Sequence, residues 1–411
     1  MVIGRNFCLT LVLASLLAGC SSSPTTEANF KTVENQSVSD VSSGLLDVVW
    51  RTRLGTGPGR EYIRMQTVLD GKRIYAADPA GGLYALNFDT GLIQWHRELE
   101  EKIIAGISLA RSGDQSYLLA STVDGRLSAF DPQNGDQLWS NELTSEAVSP
   151  AGFDGERAYV HTVDGRITAV NLASGESLWS YEVQQPVLTV RGTATPVIQD
   201  GLVIVGTANG KVVALDSRLG IPRWEYRLAF PDGRSELERL VDVDGTVVPF
   251  SNLIFAASYH GKVAAIAMNG TVRWEEDASS YTSPVISVGN LYMTLDNGDI
   301  SARSLDSGDK VWTQSLLQGS QVSGVSVVGK YLTVTDGEGF LYLLNRLDGS
   351  FLARKDLRPV IRHVSVPNQP ESTRWRELRG KDFGIRSPVV SANSGMLVYT
   401  NDGVLIRVDI E

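Results

Sequence analysis

Cysteine is nearly absent: Cys8 and Cys20 are the two in 411 residues. That scarcity excludes a disulfide-stapled scaffold. Histidine is almost as rare, and His96, His161, His260 and His363 stand far apart, no two at metal-ligand spacing. Basic charge is in deficit, with 37 Lys and Arg against 47 Asp and Glu and a net charge of −10. A general nucleic-acid binder needs a basic footprint to displace phosphate counterions, and the balance here runs the other way. Apolar runs long enough for a polytopic membrane protein are missing, and no stretch reads as a long amphipathic helix. What is present is glycine, 40 residues of it, and a 42% hydrophobic content. That is enough to bury a large core, as one big domain or as two or three of ordinary size.

The one sustained apolar run lies at the start. Arg5 precedes a stretch from Phe7 to Leu17 broken only by Thr10 and Ser15. It is too short to span a bilayer and has the length of a signal-peptide core. The run ends Leu17-Ala18-Gly19-Cys20 and is followed by Ser21-Ser22-Ser23-Pro24. Small residues before a cysteine suit a peptidase cleft, and the thiol then accepts a lipid. This is the pattern of a bacterial lipoprotein box; an ordinary signal peptide with an incidental cysteine is the alternative. The expected division is a signal peptide over 1–19, a lipidated Ser/Thr-rich tether over 20–44, and a globular body over 45–411. Cleavage removes Cys8 and Arg5, so the mature net charge becomes −11 and the remaining thiol, Cys20, is acylated. Several acyl chains on one cysteine anchor stably, where a single chain does not. Ser21, in place of an aspartate, points to the outer membrane, with the body facing the periplasm.

The body repeats. Glycines follow a polar or small residue and precede a short apolar run at Gly81, Gly125, Gly165, Gly210, Gly261, Gly298, Gly339 and Gly403, in steps of 44, 40, 45, 51, 37, 41 and 64 residues. Fourteen residues after five of them stands Trp95, Trp139, Trp179, Trp224 or Trp312; Trp274 comes at thirteen, and Ala353 fills the seventh place. Four residues ahead of each comes a second glycine, from Gly91 to Gly349. Asp124-Gly125 and Asn209-Gly210 are hairpin signals, and Lys211 to Leu215 reads as a buried strand. A small residue recurs four after the first glycine (Ala85, Ala129, Ala169, Ala214, Ala265, Ala302), which suits the crowded centre of a radial array. Pro150, Pro196, Pro284 and Pro388 mark strand openings.

Units of about 40–45 residues with four strands each are blades of a β-propeller. The last unit stops at Glu411 after its third strand, while Asp47 to Arg51 has the character of the missing strand, and Trp50 lies 45 residues before Trp95. The spacing therefore predicts an all-β, eight-bladed propeller whose last blade is closed by the N-terminal strand, leaving no open edge between the chain's ends. Trp375 alone stands outside the series. The in-phase tryptophans are expected to pack between neighbouring blades. A ligand site would need only one or two copies.

The stretch Gly210 to Trp224, and nearly Gly81 to Trp95, resembles the repeat of pyrroloquinoline-quinone dehydrogenases. A periplasmic quinone-dependent dehydrogenase is therefore the alternative function. That family commonly places a pair of adjacent cysteines over its quinone, together with calcium and an acidic base. No such pair exists here, and no haem-attachment motif. Gly324 to Lys330 imitates a phosphate loop, but Tyr331 replaces the needed Ser or Thr. Asp242-Val243-Asp244-Gly245 starts like a calcium loop and lacks the later ligands. No cofactor, metal or catalytic residue is expected.

Function then falls to loops that depart from the repeat. From Trp139 and Trp274 the next strand-opening proline comes after 11 and 10 residues; from Trp179, Trp224 and Ala353 it takes 17, 25 and 35. Equivalent connections share one face of a propeller. The first enlargement carries Leu188, Val190 and Arg191, and the second carries Asp242 and Asp244 beside Leu240 and Val241. An apolar patch edged by Arg191 and a carboxylate pair suits a protein–protein site; an internal clamp between the two loops is the other reading. The third, Arg358 to Arg386, holds seven cations and three acids, with Arg374, Trp375 and Arg376 as a possible second contact loop for lipid or an acidic partner. Together, the lipoprotein box, the quinone-like repeats without quinone ligands and these two loops resemble the BamB family of outer-membrane assembly factors. The resemblance implies a scaffold in the β-barrel assembly (BAM) complex without enzymatic activity. In that family the Leu-x-Leu-Arg and Asp-x-Asp segments bind the POTRA repeats of the barrel subunit BamA. Leu188, Val190, Arg191, Asp242 and Asp244 match them, Val190 departing from leucine. Other BAM lipoproteins and unfolded outer-membrane precursors are the further partners implied. The lipid anchor would be the only membrane contact.

Overall fold

The computed structural model describes residues 31–32, 38–61, 63–186, 194–232, 234–235, 238–358, 384–392 and 394–411. Their strands form eight sheets, seven of four strands and one of five. Blade 1 runs Val68–Asp70, Arg73–Ala77, Gly82–Asn87 and Ile93–Glu98, each strand antiparallel to the one before. Blades 2 to 7 repeat this order and end at Glu142, Glu182, Arg227, Asp277, Gln314 and Asp356. Blade 8 takes Val390–Ser391, Gly395–Tyr399 and Val404–Ile410 from the end of the chain. Its outer strand is Leu46–Arg53, with Leu46 opposite Ile410 and Arg53 opposite Val404. The expected eight-bladed propeller, closed by the N-terminal strand, is the fold observed. The fifth strand of blade 6 is Lys31–Thr32, lying parallel to its outer strand.

The glycine and tryptophan spacing has one physical cause. Each indole N–H donates to a carbonyl in the last hairpin of the next blade: Trp50 to Phe88, Trp95 to Pro132, Trp139 to Leu172, Trp179 to Ser217, Trp224 to Met268, Trp274 to Leu305 and Trp312 to Arg346. The second glycine of each repeat sits in that hairpin under the indole. A Cβ on Gly220 would lie 2.5 Å from the Trp179 ring, and the φ there is +68°, so both space and backbone demand glycine. A buried indole N–H must find an acceptor, and the hairpin supplies one at each junction.

Ala353 breaks the series for a structural reason. It would need a hairpin in blade 8 to receive it, but there the third and outer strands come from opposite ends of the chain. Instead Ala353 is fully buried with Leu46, Leu343 and Leu357, and the N–H of neighbouring Arg354 donates to Ser42 O. Trp274 comes one residue early because the last hairpin of blade 5 is tighter, closed by Gly270 N–H to Ala267 O. In blade 1 the same hairpin spans one residue more, Gly91 N–H to Asn87 O.

One expectation needs correcting. The recurring alanines do not crowd the centre of the array. They lie in the third strand, directly opposite the tryptophans, as in Ala85 with Trp95 and Ala214 with Trp224. A small residue there leaves room for the indole across the strand pair. The centre is lined by the inner strands and the connections that lead into them.

Candidate partner-docking surface

The connections from each outer strand to the next inner strand converge on the central channel. Its cavity of about 350 Å3 is lined from seven of them, by residues such as Arg64, Pro150, Thr195, Asp244, Thr282, Gly324 and Arg386. The three enlarged connections belong to this set, so they share one face as expected.

Leu188, Val190 and Arg191 lie outside the described residues. The residues before them are placed, and they meet the second enlargement. A groove of about 290 Å3 runs between Gln184, Gln185 and Pro186 on one side and Pro231, Arg239 and Val241 on the other, with Arg227 at its wall. Asn209 Nδ2 donates to Gln184 O at 3.1 Å and fixes the near lip. Beside it Phe230 is 71% exposed, with the Arg227 guanidinium 5.6 Å from its ring centre. An exposed aromatic next to cations and prolines has the makings of an interface anchor. Sequence reasoning missed Phe230, because a single aromatic in a loop belongs to no period.

The carboxylate pair is arranged differently from the expectation. The second enlargement folds inward: Leu240, Val241, Val243 and Val247 are buried, and Val243 N–H donates to Thr207 O. Gly206 leaves room for it, since a Cβ there would meet Val243 O at 2.3 Å. Asp242 is fully buried and its carbonyl accepts from Tyr259 N–H. Asp244 faces the channel, not the outer rim. Enclosure pushes its carboxyl up from 3.8 to about 6, partly offset by the Arg64 charge. The two aspartates therefore do not edge a surface patch. They hold the loop beneath it and charge the channel.

His161 lies under the same region, at the end of the second strand of blade 3, and is 2% exposed. Neither ring nitrogen has a well-formed hydrogen bond among the described residues. Burial pulls the imidazole down from 6.5 to about 4, partly offset by the Ala194 backbone and Asp164.

In the third enlargement, Arg374, Trp375 and Arg376 lie outside the described residues, as does Cys20. Its two ends are placed. Arg358 makes a two-pronged ion pair with Asp356, at 2.9 and 2.6 Å, and lies 4.6 Å from the Phe340 ring centre. Arg386 Nη1 donates to Gly59 O and Glu61 O. The phosphate-loop imitation ending at Lys330 is the first strand, Ser326–Val328, and the turn of the inner hairpin of blade 7, which pairs with Tyr331–Thr335. Among the described residues no three His, Cys, Asp or Glu side chains gather as a metal site, and no helix is long and apolar enough to cross a membrane.

The sequence profile of the family described as "Outer membrane protein assembly factor BamB" matches residues 83–314 and 296–411. The outer membrane protein assembly factor BamB of Pseudomonas aeruginosa is 33% identical over 402 residues, 97% of each chain. This chain belongs to the BamB family. The crystal structure of BamB from Moraxella catarrhalis superposes with a TM-score of 0.75 at 24% identity, covering 89% of this chain and 100% of that one. A quinohemoprotein alcohol dehydrogenase from Comamonas testosteroni has a TM-score of 0.63 at 12% identity, covering 89% of this chain and 76% of the enzyme. That likeness is one of fold. The quinone-like repeat is blade architecture held in common. BamB-family membership is membership of a family of assembly factors, not of enzymes. In this member the groove lies between two enlarged connections that depart from plain blade structure.

Proposed function

We propose that the mature chain is a lipoprotein of the outer membrane, attached through Cys20 and facing the periplasm. As a scaffold of the BAM complex it binds the POTRA region of BamA and aids folding and insertion of outer-membrane proteins. The observation that carries this reading is the groove between Pro186 and Val241, with Phe230 exposed beside it, in a chain of the BamB family. Leu188 and Val190 supply apolar contacts and Arg191 a charge at the edge of the same site. Phe230 and Arg227 extend it. Asp242 acts as a positioning residue from inside the loop, and Asp244 sets the charge of the adjoining channel. Arg374, Trp375 and Arg376 form a second contact loop, toward other BAM lipoproteins or client precursors.

The test is a pull-down of the mature chain with the periplasmic region of BamA, comparing wild type, Arg191→Glu and Phe230→Ala. Retention should fall at least tenfold for Arg191→Glu and several-fold for Phe230→Ala, with melting curves unchanged. Undiminished retention of folded Arg191→Glu would sink the assignment.

A further inference from the structure

The N-terminal segment does not leave the ring where its closing strand begins. Within the span assigned to the tether, Lys31–Thr32 adds a parallel strand to the outer strand of blade 6, with Lys31 opposite Trp312 and Thr32 opposite Thr313. Val38 and Val41 pack on the apolar cluster that blades 6 and 7 share. In the outer strand of blade 7, Arg354 N–H donates to Ser42 O and Lys355 Nζ donates to Leu46 O. The segment is thus a strap around the rim, from blade 6 across blade 7 into blade 8. Trp312 records the cover: its exposure is 0%, against 9% for Trp139, and the other five junction tryptophans are only half-buried.

We infer that this strap fixes which side of the ring faces the bilayer: the rim of blades 6 and 7 is the side turned to the lipid headgroups. The inference rests on the reading that Cys20 is acylated. A tether free from Cys20 to Leu46 has 26 residues and reaches roughly 90 Å when fully extended, which lets the ring tumble. Strapped at Lys31, the leash has 11 residues and reaches at most roughly 40 Å. The anchor then pulls on one side of the propeller, so blade 6 is held closer to the lipid than blade 2, which lies directly across the ring of eight. The same rim carries apolar groups that suit a headgroup layer. Val288 is 60% exposed, Val311 37% and Leu347 66%. Arg346 Nη1 donates to Ser287 Oγ, so the turns bearing Val288 and Leu347 touch. Val288 also holds a φ of +45°, which a β-branched residue rarely adopts, where glycine or asparagine would serve the turn better. Exposed aliphatics stand on blade 1 at Leu92 and on blade 4 at Leu219 as well, but the strap leaves the ring at neither.

The test is energy transfer from the acylated mature chain, seated in vesicles of phosphatidylethanolamine and phosphatidylglycerol, to an acceptor dye on a lipid headgroup. The donor dye goes on Ser307→Cys in the last hairpin of blade 6, or on Asn134→Cys at the matching place in blade 2; both sites are exposed. Transfer from the blade 6 dye should be at least twice that from the blade 2 dye. Inserting fifteen Gly and Ser residues after Thr26 restores the longer leash without touching the strap, and should shrink the difference. Val38→Asp combined with Val41→Asp puts charge on the apolar cluster, freeing the strap while sparing strand Leu46–Arg53, and should shrink it too. Equal transfer from the two dyes would overturn the inference, and a difference that neither change reduces would overturn the strap as its cause. Flotation with the vesicles, with and without Cys20→Ser, reads the anchor separately. A chain that does not float overturns the acylation reading and this inference with it; a floating chain with equal transfer overturns this inference alone.

Discussion

Asp244→Asn should raise the stability of the propeller, and the gain should depend on pH in a defined way. The folded protein holds the Asp244 carboxyl at about 6 against 3.8 for the free group. A group whose pKa is raised by folding binds protons more tightly in the folded state. Its contribution to stability is therefore present at low pH and is lost as pH rises from about 4 to about 6. At 1.36 kcal/mol per pH unit the loss at neutral pH is roughly 3 kcal/mol, an upper bound because the side chain borders channel water. His161 works in the opposite sense. Its ring is held near 4 against 6.5, so its contribution is present above about 6.5 and is lost as pH falls toward 4, again roughly 3 kcal/mol. In the wild type the two nearly cancel, which leaves a shallow profile across that window. Asn at 244 unmasks the histidine: the variant should melt about 3–6 °C above wild type at pH 7 and converge with it near pH 4. His161→Phe should do the reverse, matching wild type near pH 7 and gaining on it as the solution is acidified. Thermal melts by circular dichroism at half-unit pH steps measure this. A constant offset between Asp244→Asn and wild type at every pH would refute the reasoning, because ionisation of the carboxylate would then carry none of the cost.

Three further outcomes follow from the blade junctions. Trp312 is fully buried and donates to Arg346 O, so Trp312→Ala should cost about 3–5 kcal/mol in denaturant titration. Gly220→Ala adds a Cβ 2.5 Å from the Trp179 ring at a φ of +68° and should cost about 1–3 kcal/mol. Ala353→Trp would restore the repeat on paper. The residue is fully buried with no hairpin to receive an indole, so the change should destabilise by about 1–3 kcal/mol in the same assay.

The ring was legible because seven of the eight junctions write the same two residues, a tryptophan and a glycine beneath the preceding blade's indole, at a nearly fixed distance along the chain. Ala353 was visible as a gap, but its cause required knowing that blade 8 joins two chain ends. The site was harder to read. Asp242 and Asp244 stand in a loop whose length is plain in the sequence, yet whether it projects or folds inward depends on Gly206 making room for Val243. A cavity at the channel mouth has no local signature at all. Arg64, Leu240, Tyr281, Gln321 and Arg386 come one from each of five connections, and only the closed circle brings them together.

The outer strand of blade 8 also sets an order of events. Leu46–Arg53 is among the first body segments to be made, and the strand it pairs with, Val404–Ile410, is the last. Until then its permanent place does not exist. Joining strands about 360 residues apart, rather than about 12 as for the same two strands of blade 1, adds roughly 3 kcal/mol of closure entropy. The early strand has somewhere to wait. Trp50 donates to Phe88 O in blade 1, and Gly91 lies beneath its ring, so the first blade to form can berth it. Seven blades are then built while the latch is held open, and the last strand must be made before it shuts.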